Sequence, residues 1–379
     1  MKIVCIAASF VPSNTANSIQ VVKAAHALNE IGNDVTLLVP GDKAVSWEEL
    51  KCHYGLRKPF KIKWIHENLL FRRYDFAINA VQKAKRMKPA LIYTWVLQAA
   101  VLSLWQGIPT VLELHDRVTG RIGPWLFRRF WKAKTQKRLL TNTKALKERL
   151  ILKYGLADYQ AQILVSPNGV ELERYQGLSS PEETRRSLGL VPGFTAGYTG
   201  HFYAGRGMQL MFDLAKALPN TNFLWVGGEQ EDVLLWEKRA ESAGLENLHL
   251  TGFIENARLP DYQAAADVLL MPYGERIAGS GGGNSAEIAS PMKMFEYMAA
   301  GRAILSSDLP VIHEVLDEET AVFCPPGKPI AWKEALIALK KDSHRCKQLG
   351  IRARSAVQEY TWQKRAAKAL SDLDLHNEN

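Results

Sequence analysis

The sequence predicts an α/β protein of two doubly wound parallel-sheet domains in series. Three observations point to this. The chain has 379 residues, more than one hydrophobic core ordinarily organises. Short apolar runs alternate with stretches whose apolar residues recur at helical spacing, the pattern of repeated βα units. After a stretch containing Gly177, Ser179, Ser180, Pro181, Pro192 and Gly193, that alternation begins again.

In the first half, strands are expected at 2–10, 34–40, 60–67, 90–96, 109–116, 138–143 and 163–168. The opening MKIVCIAASF enters the first strand without the long apolar core or cleavage site of a signal peptide. Ile19, Val22, Ala25 and Leu28 then follow helical spacing, so the first crossover is a helix. In the second half, strands are expected at 194–199, 222–226, 248–253, 268–272, 303–307 and 321–324. The joint, at 171–193, separates an N-terminal domain at 1–175 from a C-terminal domain at 176–360. A last helical segment, at about 360–379, is expected to pack back on the first domain. Two such sheets imply a ligand cleft between them.

Composition narrows the function classes. Cys5, Cys52, Cys324 and Cys346 are far apart, with no CxxC pair. This argues against a zinc site or a disulfide framework and fits a reducing cytoplasm. No apolar run approaches the roughly 20 residues that span a bilayer. Residues 1–178 hold 27 Lys and Arg against 13 Asp and Glu, while the remainder holds 21 against 26. The basic half is expected to face something anionic.

Two segments carry chemistry. The first runs from Ser290 to Gly301, SPMKMFEYMAAG. Ser290 suits an N-cap, Pro291 the first helical position and Gly301 the C-terminal cap. Lys293 then falls in the first turn, where the helix dipole disfavours a cation. An anion shared between Lys293 and free backbone N–H groups accounts for it, with Glu296 on the same face. The alternative is a surface Lys293–Glu296 pair over a core of Met294, Phe295 and Met298. The second segment, Gly200-His201-Phe202-Tyr203-Ala204-Gly205-Arg206-Gly207, lies between a strand and a helix. A Gly-flanked Arg206 can approach a phosphate there; an ordinary turn with a solvated Arg is the alternative.

Together with Ser166-Pro167-Asn168-Gly169-Val170, Thr251-Gly252-Phe253 and Ala265-Ala266-Asp267-Val268, these segments resemble glycosyltransferase family 4. Its members are retaining enzymes of the GT-B fold, and the resemblance extends over essentially the full length. Each fragment is weakly specific, but their order and spacing are highly so. The resemblance implies that Arg206 and Lys293 hold a donor diphosphate and that Glu296 takes the ribose hydroxyls. It also implies that the backbone near Phe253 and Ile254 meets the base, with Ser290 on the donor side. His115, in His115-Asp116, would line the reacting sugar; independently, the carboxyl end of a parallel strand is where such sheets bind ligands. Asn17 and Ser18 occupy the first βα loop, where the family often has a glycine pair near the phosphates.

Two positions depart from the family pattern. Ile288, with Glu287 beside it, replaces a donor-site Glu, and His201 replaces an Arg after the strand glycine. The run Gly279 to Asn284 lacks a following Gly-Lys-Ser/Thr, so it is no P-loop. It is read as a lid that orders over donor or as a plain surface loop. Arg121, Arg128, Arg129, Lys132, Lys134, Lys137 and Arg138 interleave with Trp125, Phe127, Phe130 and Trp131. This mixture suits an interfacial helix on anionic lipid or a half-buried helix with a solvated basic face. Arg57, Lys58, Lys61, Lys63, Arg72 and Arg73 are candidates to extend it.

The expected activity is transfer of a sugar from a nucleotide-diphosphate sugar, UDP-linked by default or GDP-linked, to a glycan or lipid-linked acceptor. No cofactor is expected. Asp372-Leu373-Asp374 is given no metal role, because it lies in a polar tail. A nucleotide-sugar epimerase or hydrolase on the same scaffold is the nearest alternative. A nucleic-acid binder lacks a motif, so no nucleic-acid partner is expected. An NAD enzyme lacks the GxGxxG turn after the first strand.

Overall fold

The computed structural model describes residues 1–66, 74–277, 284 and 286–373. The chain forms two compact units: Met1–Asn168 together with Trp362–Asn379, and Gly169–Thr361.

The first unit runs β1 (Lys2–Ile6), α1 (Ala16–Glu30), β2 (Asp34–Pro40), α2 (Trp47–Tyr54), β3 (Lys61–Ile65), α3 (Tyr74–Arg86), β4 (Leu91–Thr94), α4 (Leu97–Trp105), β5 (Thr110–Leu114), α5 (Gly123–Lys132), β6 (Lys137–Thr141), α6 (Lys144–Tyr154) and β7 (Ile163–Val165). Its strands pair in parallel in the order β3-β2-β1-β4-β5-β6-β7. β1 is buried on both faces, which is why its apolar residues run on without alternating. β1 ends at Ile6, short of the expected residue 10. Ile6 is the last residue registered with both neighbours, opposite Leu38 and Thr94. Thr15 caps α1, its side chain accepting from the Ser18 N–H. Asn17 and Ser18 therefore lie in the first turn of the helix and not in the preceding loop.

The second unit runs α7 (Pro181–Ser187), β8 (Thr195–Thr199), α8 (Met208–Ala217), β9 (Asn222–Val226), α9 (Gln230–Ser242), β10 (Leu248–Leu250), α10 (Leu259–Ala264), β11 (Val268–Met271), α11 (Met292–Ala300), β12 (Ala303–Ser307), β13 (Val322–Cys324), α12 (Pro329–Lys341) and α13 (Ser343–Ala356). Its parallel sheet has the order β10-β9-β8-β11-β12-β13. The expected joint is part of this unit. Tyr175 is buried in its core, accepts from Arg354 at its carbonyl (2.6 Å) and donates its hydroxyl to Gln263 (2.9 Å). Ser180 and Glu183 form a capping box at α7. The first unit thus ends at Asn168 and not at residue 175.

The final helix, α14 (Trp362–Leu370), belongs to the first unit and packs on α1. Arg365 enters the core, where it donates to the Pro167 carbonyl (2.9 Å) and pairs with buried Glu113 of β5. Burial alone would raise the Glu113 pKa, but Arg365, with His115, holds the carboxyl well below the usual carboxylate range. The pair therefore stabilises the fold above about pH 4.3, the ordinary Glu value, and that contribution fades as pH falls.

α5 divides the basic-aromatic segment. Phe127, Phe130 and Trp131 are core residues, while Trp125, Arg128, Arg129 and Lys132 remain exposed. Arg138 is also buried, donating to the Ala369 carbonyl (3.0 Å). These four buried residues therefore leave the expected surface patch, because the apolar stripe of α5 and the β6 strand need them inside. Arg57 pairs with Glu30 and Lys61 with Asp34. Arg72, Arg73, the Gly279–Gly283 run and Asp374 lie outside the described residues.

Arg365→Met should destabilise the protein by about 3–5 kcal/mol by leaving the Glu113 carboxylate buried without its cation. Urea unfolding at pH 7 measures this, and a loss under about 1 kcal/mol, the worth of an exposed pair, would contradict it.

Candidate donor site and the family it identifies

In the second unit, the site gathers around the carboxyl end of β8. The strand delivers Thr199 and Gly200, and the turn to α8 carries Arg206. Gly207 (φ 76°) starts that helix where a Cβ would lie 2.1 Å from the Pro272 carbonyl oxygen, so only glycine fits. The turn is anchored by the Gly274 N–H donating to the Gly205 carbonyl (2.9 Å). Anchored in this way, Arg206 lies over the Tyr273 ring, its guanidinium carbon 5.1 Å from the centroid.

α11 supplies the second cation. The helix begins at Met292, with Pro291 in the extended N-cap position and no side-chain cap. Ser290 is thus not the cap, and Pro291 sits one place earlier than expected; Ser290 is buried instead. Pro291 holds an extended backbone (ψ 128°), and a residue preceding proline is kept out of the helical region. Lys293 remains in the first turn and Gly301 closes the helix in the left-handed region (φ 64°).

The Lys293 ammonium is buried. It stacks on Tyr198 at 3.7 Å from the ring centroid, with Tyr273 at 5.8 Å, and has no hydrogen-bond partner among the described residues. Gly200 makes room for it, since a Cβ there would lie 2.9 Å from Nζ. Burial pushes the Lys293 pKa well below the ordinary lysine value, the Arg206 charge pushes it the same way, and Glu296 opposes both. Two like charges beside buried tyrosines make an arrangement suited to an anion.

Glu296 is held by Gln263, whose Nε2 donates to Glu296 Oε2 (3.1 Å) and to Thr199 Oγ1 (3.2 Å). The Tyr297 hydroxyl accepts from the Thr199 N–H (2.8 Å) and fixes the strand end. Sequence reasoning passed over Gln263, Tyr198, Tyr273 and Tyr297 as positioning groups. Tyr297 alone carried a signal, a hydroxyl on the buried face of the quoted helix.

The structure brings Arg206, Lys293 and Glu296 together. His201 turns aside: its ring stacks on Tyr203 (4.7 Å, 4°) and its Nδ1 lies 3.8 Å from Glu229. Phe253 is exposed, Ile254 packs against Leu224, Val226 and Ala265, and Glu287 is exposed while Ile288 is buried. In the first unit, His115 is one-quarter exposed and bonded to Glu113. Asn17 donates to Ser9 (2.7 Å). Ser18 is fully buried, its hydroxyl engaged by the Phe10 carbonyl (2.9 Å) and the Tyr54 hydroxyl (2.6 Å), so its polar group is committed to shaping the loop.

Residues 18–174 match the model for Glycosyltransferase Family 4 and residues 193–342 the model for Glycosyl transferases group 1. The chain belongs to glycosyltransferase family 4. Among curated relatives, it is 23% identical to a putative teichuronic acid biosynthesis glycosyltransferase, TuaC, of Bacillus subtilis, covering 82% of this chain and 81% of that one. It is 24% identical to a phosphatidyl-myo-inositol mannosyltransferase of Mycolicibacterium smegmatis, covering 90% and 85%. Its fold superposes on that of HepE from Anabaena, solved with UDP, with a TM-score of 0.74 at 18% identity over 98% of this chain and all of that one. The fold is GT-B, and the chain is a glycosyltransferase, which removes the nucleic-acid binder. Among the described residues no helix is long and apolar enough to cross a membrane.

Lys293→Met should stabilise the protein by about 1–4 kcal/mol at pH 7, because an apolar isostere needs no acceptor. The lysine is depressed in the folded state, so the unfolded chain binds more protons and wild-type stability rises with pH toward about 10.4. The variant's advantage should shrink along that rise. A thermal melt in which the variant is no more stable than wild type at pH 7 would contradict this.

Proposed function

We propose that the enzyme moves a sugar from a nucleoside-diphosphate sugar, UDP-linked by default, to a glycan or lipid-linked acceptor of the cell envelope, with retention of anomeric configuration. One observation carries the donor reading: the buried Lys293 ammonium, without a hydrogen-bond partner among the described residues, beside Arg206 at the uncapped start of α11. A diphosphate supplies the missing acceptors to both cations and to the free N–H groups of the first turn. The HepE structures with UDP and with UDP-glucose favour the same ligand class. The cell-envelope acceptor follows the teichuronic acid and phosphatidyl-myo-inositol relatives.

In this reading the bond from the anomeric carbon to the β-phosphate oxygen breaks while the acceptor hydroxyl oxygen bonds to the same face of that carbon. The hydroxyl proton passes to the departing phosphate oxygen. Arg206, Lys293 and the α11 N-terminus stabilise the charge that develops on the leaving group, and neither a metal nor a protein base takes part. Glu296, oriented by Gln263, accepts from the ribose hydroxyls, and His115 meets the reacting sugar.

Exposed Trp125 and Ile122 stand beside Arg121, Arg128 and Arg129, with the Arg129 guanidinium 5.1 Å from the Trp125 ring centroid. We place a lipid-linked acceptor's membrane against this surface.

A thermal-shift panel of nucleotide sugars selects the donor, a ligand at 100 times its Kd adding about 2.7 kcal/mol. With that donor, Lys293→Ala and Glu296→Ala should each lower transfer by about 10²–10³-fold in folded protein. Full activity in both would refute the site, and donor turnover without acceptor product would favour an epimerase or hydrolase. Co-sedimentation with phosphatidylserine vesicles should occur at low salt and weaken in 0.5 M NaCl, by about 1 kcal/mol for each basic residue replaced. Its absence at low salt would remove the membrane surface.

A further inference from the structure

Glu113 is a carboxylate inside a buried parallel strand, and its surroundings do more than satisfy it. Its Oε1 receives the Gln20 amide (2.7 Å), Arg365 and His115 Nε2, and its Oε2 receives the Tyr93 hydroxyl. An ionised carboxylate only accepts hydrogen bonds, and here four donors reach it, three at Oε1 and one at Oε2. Arg365 is itself locked, its Nε on the Pro167 carbonyl (2.9 Å) and its Nη1 on the Tyr93 hydroxyl (3.3 Å). The carboxylate therefore has neither a proton to give nor room to turn.

That has a consequence for His115. Because Glu113 can only accept, the ring nitrogen facing it must be the protonated one, so Nε2 carries the hydrogen. In the neutral ring the lone pair then resides on Nδ1, which makes no hydrogen bond to any described residue. The imidazole is one-quarter exposed while Glu113 is wholly buried. The ring is thus fastened from below and open on its other edge.

We propose that Glu113 is a positioning residue for His115, fixing the Nε2–H tautomer so that Nδ1 accepts a hydrogen bond from a sugar hydroxyl, with Arg365 of α14 holding the carboxylate in place. This rests on the reading of His115 as a residue that meets the reacting sugar. It extends that reading to a strand residue and a C-terminal helix that touch no substrate. Behind a metal-bound histidine, losing the carboxylate that orients the ring costs about 10–100-fold, and a loss of that order is expected here.

The test uses Glu113→Gln, the charge-neutral pair Glu113→Gln with Arg365→Met (a safeguard should the single variant leave Arg365 buried without its anion and unfold), His115→Ala, and the double variant of Glu113→Gln with His115→Ala. Imidazole ¹⁵N spectra of histidine-labelled protein, with the His115 signals assigned by their loss in His115→Ala, should show the Nε2–H form in wild type. In the Glu113→Gln proteins an amide can donate to the ring, and the spectrum should move toward the Nδ1–H form. Transfer should fall about 10–100-fold in kcat per folded molecule, and Glu113→Gln should cost nothing further in the His115→Ala background. An unchanged His115 spectrum in both Glu113 proteins, or losses that multiply in the double variant, overturns the proposal. Full activity in His115→Ala would instead sink the assignment of His115 to the sugar, and the ring spectra would still decide whether Glu113 positions it.

Discussion

An ammonium group stacked on a tyrosine, shut away from water and given no acceptor by any described residue, is the constraint around which the second unit is arranged. Tyr198 and Tyr273 offer their ring faces to Lys293 and Arg206, which softens the loss of hydration without neutralising either charge. Neighbouring parts follow from that choice. Gly200 lacks a side chain because the ammonium occupies its space, and Gly207 lets the Arg206 turn press against the Pro272 carbonyl. Tyr297 then pins the strand end from which both approaches are measured.

The two polar clusters make opposite uses of burial. Glu113 is surrounded by four donors that hold its carboxylate in one orientation, and the result is a rigid post. Lys293 is surrounded by rings, a like charge and one partly opposing carboxylate, and among the described residues no acceptor reaches it. Both lie toward the carboxyl ends of parallel strands, where crossover loops converge. In each, the partners come from far along the chain: Gln20 and Arg365 for Glu113, Gln263 for Glu296.

That distance explains what could be read beforehand. The βα alternation, the strand cores and the Arg206–Lys293–Glu296 constellation were legible because apolar spacing, a glycine-flanked turn and a cation against a helix dipole are local signals. Strand ends were overextended, as in 2–10, since apolar residues that pack under a loop look like residues in a ladder. Ser290 and Pro291 were misplaced by one position because several residues fitted the start of the helix. Phe127, Phe130 and Trp131 belong to the half-buried helix with a basic outer face that was one of the two readings left open, because the sequence alone does not say which side of an amphipathic helix is covered. Glu113 did carry a signal, an acid in the run Thr-Val-Leu-Glu-Leu, but its cation lay in a helix from the other end of the chain, a pairing that no local pattern announces.

The first unit is discontinuous in sequence: its sheet comes from the opening residues, while α14, which covers α1 and carries Arg365, is separated from it by the whole of the second unit. During synthesis the ribosome releases the seven strands long before the guanidinium that neutralises their buried acid. The nascent sheet must wait with that acid hydrated or protonated, and closure of its core becomes a late event, timed by the arrival of Trp362–Leu370.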